Sequence, residues 1–180
     1  MQGFLGRRNS VFGLVLVISV LVVGCAAPNR YAMKSPATAD VRSFRSVEVV
    51  SVSTGITEDE LDPGTPTELR MAIISAIQKA RTYRQVAAEL DSSAGVLQIR
   101  AKIVRFDRGS QAARYLVGFG AGKARLHVDC EFVDKESESI VAVGTFIAEI
   151  AGGLFGGTSN QGTMSKNVAK QVARFLKKGK

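Results

Sequence analysis

Three rhythms of hydrophobic and polar positions divide this chain. The first is an unbroken apolar run, Val11 to Val23 (VFGLVLVISVLVV), with no charged residue between Asn9 and Gly24. The second is the two-residue alternation of strands, in which successive side chains point to opposite faces. It runs through Val96 to Asp107 (VLQIRAKIVRFD), with Leu97, Ile99, Ala101 and Ile103 inward and Gln98, Arg100 and Lys102 outward. Val104 and Phe106 then break the alternation, which predicts a bulge. Lys123 to Val133 (KARLHVDCEFV) places Ala124, Leu126, Val128, Cys130 and Phe132 on one face, and Ile140 to Ile150 follows the polar turn DKESES. These three runs predict an antiparallel meander with one buried and one partly wet face. Arg45 to Ser53 (RSVEVVSVS) carries valines on both faces and reads as a strand covered on two sides, and Tyr83 to Ala88 reads as a short strand.

The third rhythm is helical. Leu69, Ile73, Ala76, Ile77 and Ala80 recur at three- and four-residue spacing, so one face of this segment is apolar. Its start is marked by Thr65 as the expected cap, Pro66 in the first turn and Glu68 placed to reach back. Met164, Val168, Val172, Phe175 and Leu176 mark a second helix, whose other face carries Lys166, Lys170, Arg174 and Lys177. Strand, helix, several strands, helix is the order of an α+β fold. The expectation is a two-layer α/β sandwich: a mostly antiparallel sheet of about five strands with two helices on one face. Residues 44–180 are expected to form that single domain. Residues 25–43, rich in small and polar residues and containing Pro28 and Pro36, are expected to form a flexible tether.

The opening apolar run changes the picture most. Arg7 and Arg8 precede it, and the sixteen uncharged residues from Asn9 to Gly24 fall short of the roughly 20 that a spanning helix needs. A basic pair, an apolar run and a small-residue cleavage site make a signal peptide, residues 1–24, rather than a retained anchor. Val22-Val23-Gly24-Cys25 resembles the lipobox of bacterial lipoproteins. The resemblance implies signal-peptidase recognition of Val22, Val23 and Gly24, cleavage before Cys25, and a covalent diacylglycerol and N-acyl lipid on Cys25. Ala26, where an Asp would retain the protein at the inner membrane, implies sorting to the outer membrane, facing the periplasm. The alternative is an ordinary secretory signal cut near Ala26-Ala27, with Cys25 discarded.

Removing Arg7 and Arg8 from the 24 basic residues leaves 22 against 16 acidic ones, a formal charge of +6 for the mature chain. With Cys25 acylated, Cys130 is the remaining cysteine of two, so no internal disulfide can form and packing must stabilise the domain. Two glycine-rich stretches, Gly109 to Ala124 (GSQAARYLVGFGAGKA) and Gly152 to Gly157 (GGLFGG), follow the lipobox in that order. Together they resemble the bacterial lipoprotein family known as the domain of unknown function 4410, over roughly Phe44 to Lys177. That family has no established activity, so the resemblance supplies no catalytic residue. The element order is also similar to periplasmic domains of curli-secretion lipoproteins and of the Tol system, which are assembly modules; such analogy of fold is a weak guide to function.

Candidate chemistry narrows quickly. Gly118, Gly120 and Gly122 before Lys123 look like a phosphate loop, but Val117 stands where the first glycine belongs and Ala124 where Ser or Thr belongs. The four-residue spacing of Gly118 with Gly122, and of Gly152 with Gly156, permits close helix packing in a membrane, although neither run is long enough to span one. These segments, with Gly153, Leu154 and Phe155, read either as partner-facing loops or as turns packed on the domain's own core. His127 is the only histidine, and no serine or free cysteine shares its strand face. One His and one Cys fall short of a closed zinc site. The acidic loop Glu58 to Asp62 lacks the spacing of a calcium loop.

Basic residues remain. Arg100, Lys102, Lys123 and Arg125 occupy outward positions of neighbouring strands, with Arg105, Arg108 and Arg114 close in sequence. Like charges on one face repel unless anions or acidic side chains answer them. The sequence therefore points to a non-catalytic outer-membrane lipoprotein. It is expected to be held to the membrane by its lipid and to bind an envelope protein, a lipid headgroup or a glycan through this basic face or the glycine-rich loops. No other cofactor is expected, and nucleic acid is excluded by export. The alternative is an envelope hydrolase or glycan-processing enzyme using paired carboxylates.

Overall fold

The structure, a computed structural model, describes residues 30–57, 61–109, 123–150 and 161–179. In chain order its elements are β1 (Arg30–Ser35), a 3-10 turn at Val41–Ser43, β2 (Ser46–Val49), β3 (Ser53–Thr54), α1 (Thr65–Ala80), β4 (Gln85–Ala87), β5 (Val96–Asp107), β6 (Ala124–Asp134), β7 (Ser139–Ile150) and α2 (Gln161–Lys178). The strands form one mixed sheet in the order β1-β7-β6-β5-β2-β4, with β3 also paired to β5. The expected meander is present: β5, β6 and β7 pair antiparallel, and β1 adds antiparallel to β7. The short strands join in parallel, β2 between β4 and β5. A parallel return needs a crossover, which α1 supplies between β2 and β4.

Both helices cover one face of this sheet, so the α+β two-layer expectation holds, with seven strands rather than about five. Leu69, Ile73 and Ile77 of α1 and Met164, Val168, Val172, Phe175 and Leu176 of α2 are buried against Val47, Leu97, Ile99, Ile103, Leu126, Val128, Cys130 and Phe132 of the sheet. Each such apolar side chain contributes about 1.5–3 kcal/mol relative to exposure. An aromatic cluster closes one end, with Phe132 and Phe175 at 4.8 Å between centroids and Tyr31 stacked on Phe146 at 5.4 Å.

The predicted bulge lies where the alternation breaks. Ile103 pairs with Val128 and Arg105 with His127, so Val104 is the extra residue. Phe106 thereby returns to the core, while Arg105 and Asp107 stay on the outer face.

Two local expectations need correction. The segment expected as tether already enters the fold at Arg30. Tyr31 and Met33 of β1 point inward and pack on the core, and Thr38 donates its N–H to the Val141 carbonyl. Composition hid this strand, because Pro36 and the small residues around it dominate the segment; residues 25–29 lie outside the described ones. Thr65 does not cap α1. Gly64 occupies the cap position without a side-chain bond, and the Thr65 hydroxyl donates instead to Gln161 Oε1 at the start of α2. A partner 96 residues away outcompeted the local one.

Candidate functional site

The outer sheet face carries the basic strand residues, and the register shows what answers them. Arg100 lies opposite Glu131, Lys102 opposite Asp129, and Arg125 opposite Asp107 on one side and Glu149 on the other. Arg100 forms an ion pair with Glu138 at 2.6 Å. Arg125 and Lys123 converge on Glu149 at 2.9 and 3.7 Å. Lys34 reaches across from β1 to Asp129 at 2.6 Å, where Thr145 also donates. Arg100, Lys102 and Arg125 do share the face expected of them, and Lys123 stands at its edge. They form a checkerboard with carboxylates, not an unanswered cluster.

One end of this face holds a buried charge. Glu48 is 4% exposed and accepts from the Leu90 backbone N–H, Gln98 Nε2 and Lys135 Nζ at 2.8, 2.8 and 2.6 Å. Burial works to raise its pKa, but the hydrogen bonds from Lys135, Gln98 and Leu90 outweigh burial and hold it below 4.5. Asp129 is likewise held below its ordinary value, the bonds from Lys34 and Thr145 prevailing over burial. Such satisfied pairs mark structural tethers; the Glu48 carboxylate is buried and already holds three donors. His127 is pushed below 6.5 by burial and by the neighbouring Arg105 and Arg125. The Cys130 thiol is fully buried, which pushes its pKa up and keeps it protonated. Among the described residues no three His, Cys, Asp or Glu side chains come together as metal ligands.

An open concavity lies elsewhere, on the outside of the helix layer. A groove runs between α1 and α2, floored by the small residues Ala72, Ser75, Ala76 and Ala173. Met71, 59% exposed, stands on its wall. Five cations rim it: Lys79 from α1, and Lys166, Lys170, Arg174 and Lys177 from α2. Glu68 is the one carboxylate among its lining residues. Among the described residues none of the five cations forms an ion pair. The helical periodicity identified the polar face of α2, but its importance could not be read there. A basic helix face looks solvated until a second helix supplies the other wall.

Gly118, Gly120, Gly122, Gly153, Leu154, Phe155 and Gly156, with Arg114, lie outside the described residues. So do Val22, Val23, Gly24 and Cys25. No described helix is long and apolar enough to cross a membrane.

Residues 40–157 match the family described as "Domain of unknown function (DUF4410)". No curated protein matches the chain. Among solved structures, the PelC dodecamer from Paraburkholderia phytofirmans superposes with a TM-score of 0.53 at 15% identity, over 79% of this chain and 95% of that one. A point variant of the same dodecamer gives 0.53 at 14% identity, over 79% and 94%. A Xanthomonas campestris protein of family DUF330 gives 0.47 at 14%, over 72% and 79%. At these identities the likeness to PelC is one of fold.

Proposed function

This chain belongs to the DUF4410 family, and from that premise we propose that it is an envelope lipoprotein with a non-catalytic binding domain. Cys25 carries the lipid, the outer membrane holds it, and the domain faces the periplasm. The domain engages another envelope component through its helix layer. One observation carries this reading: on the sheet face Arg100, Lys123 and Arg125 are held by carboxylates, whereas among the described residues the five cations around an open, small-residue groove form no ion pair. A surface that keeps unsatisfied charge beside exposed Met71 retains the capacity to bind. The glycine-rich segments around Gly120 and Gly156 belong to the proposal as flanking contacts. PelC, of similar fold, assembles as a dodecamer, so a second copy of this chain is among the partners to be tested.

The hydrolase alternative calls for paired carboxylates. The groove is lined by one carboxylate, where glycoside chemistry uses two.

Two measurements test the proposal. Metabolic labelling with a palmitate analogue should mark the wild-type chain and leave Cys25→Ser unmarked. A photo-crosslinking residue in place of Met71 should capture a partner in intact envelopes, and one in place of Glu131 on the sheet face should not. Capture from position 131 alone would move the site to the sheet.

A further inference from the structure

The basic row on α2 has a period. Lys166, Lys170, Arg174 and Lys177 follow at intervals of four, four and three residues, so they form one stripe along the helix. Like charges four residues apart repel, and the chain supplies no acidic residue on α2 to relieve them. Lys79 extends the stripe across the groove onto α1. The surface is complementary to a broad array of anions, not to a single one.

The chain enters the fold against the carboxyl-terminal half of α2, on the sheet-facing side of that helix. The Tyr31 ring, on the second residue of β1, sits 5.9 Å from the buried Phe175 ring, so the exposed stripe lies across the width of the helix, about 10 Å, from this contact. Gln171 of α2 donates to the Ile147 carbonyl, and Ile147 is the register partner of Arg30. Arg30 is five residues from Cys25, and five residues span at most about 18 Å even fully extended. A lipid on Cys25 therefore brings the bilayer surface within reach of the carboxyl-terminal half of α2, its basic stripe included.

We propose that the α1–α2 face of this domain docks on the anionic headgroups of the bilayer that carries its own lipid anchor. The proposal rests on the anchoring reading above and names the occupant of the helix groove. Lysines and an arginine near a negatively charged surface gain attraction within about a Debye length, roughly 8 Å at physiological ionic strength. Exposed Met71 beside them offers an apolar contact at the headgroup level. Docked in this way, the sheet face with its internally paired charges points away from the membrane.

Lysine footprinting decides the matter. The mature protein, purified from envelopes with its lipid, is reconstituted into vesicles of phosphatidylcholine alone or mixed with phosphatidylglycerol, and acylation is read at each lysine by mass spectrometry. Lys79, Lys166, Lys170 and Lys177 should label about fivefold more slowly on the anionic vesicles, high salt should abolish the difference, and Lys34 and Lys102 on the sheet face should label alike on both. A Lys166→Gln/Lys170→Gln/Arg174→Gln variant should lose the protection of Lys79. Equal labelling on the two vesicle types overturns the docking. Equal protection on both also overturns it, and points to a second copy of the chain. Flotation separates the two readings: a protein that fails to float with phosphatidylcholine vesicles loses the anchor and the docking together, whereas one that floats but labels alike loses only the docking.

Discussion

At the scale of single residues, the most consequential side chain is Glu48. It receives three donors at a site 4% exposed, so removing its charge leaves the Lys135 ammonium without its counter-ion, with the Leu90 carbonyl as its remaining strong acceptor. Glu48→Gln should lower stability by about 2–4 kcal/mol in denaturant melts, somewhat under the figure for fully buried pairs because the Lys135 side chain remains 21% exposed. The same residue sets the response to acid. Glu48 and Asp129 have folded pKa values below their ordinary 4.5 and 3.8, so the unfolded chain takes up protons first and stability is lost as pH falls through that range. His127, held below 6.5, acts in the same direction at higher pH, since protonation favours the unfolded chain. The melting temperature should therefore fall steadily from neutral pH to about pH 3, and Glu48→Gln should flatten the lower part of that curve. Cys130 should resist maleimide in the native protein and react only on unfolding, because its thiol is buried and protonated. Rapid labelling of the folded chain would contradict the packing of β6.

At the scale of elements, β1 is the piece whose role was least visible and whose effect is largest. It extends the sheet beyond β7 and brings Tyr31 against Phe146 and Phe175. Its close approach is permitted by Gly144, where a Cβ would stand 2.9 Å from Met33 Sδ. Tyr31→Ala should cost about 2–3 kcal/mol, less than the 3–5 of a fully buried aromatic because this ring is only partly buried, and should expose residues before Ser35 to proteolysis. Intact resistance together with unchanged stability would mean that the strand is not docked. The sequence made β5, β6, β7 and α2 legible because each pairs a long period with a single buried face. Val104 announced its bulge because one extra residue shifts every later side chain to the other face. The Thr65 cap and the tether were misjudged for one shared reason. Local propensity is worth a kcal/mol or so, and a tertiary partner such as Gln161 or Phe146 outweighs it.

At the scale of the whole molecule, the division of charge between the two layers is the organising feature. On the sheet face cations and carboxylates alternate across strands; on the helix face five cations meet a single glutamate. Replacing Arg100, Lys102, Lys123 and Arg125 with glutamine should cost a modest amount of stability, about 0.2–1 kcal/mol per exposed pair, and leave the salt dependence of envelope association unchanged. A large change in association would return the binding site to the strands. The amino-acid sequence by itself determined the class of fold, the meander, both helices, the bulge and which residues face outward, because periodicity is a property of consecutive positions. It also carried the lipobox-like Val22 to Cys25. Only the tertiary structure decided which charges are answered, since the carboxylates that pair with Arg100 and Arg125 come from positions 24 to 38 residues away. It likewise decided where the chain joins the fold and that two helices together enclose a basic groove, because register and helix packing set distances that no local pattern contains.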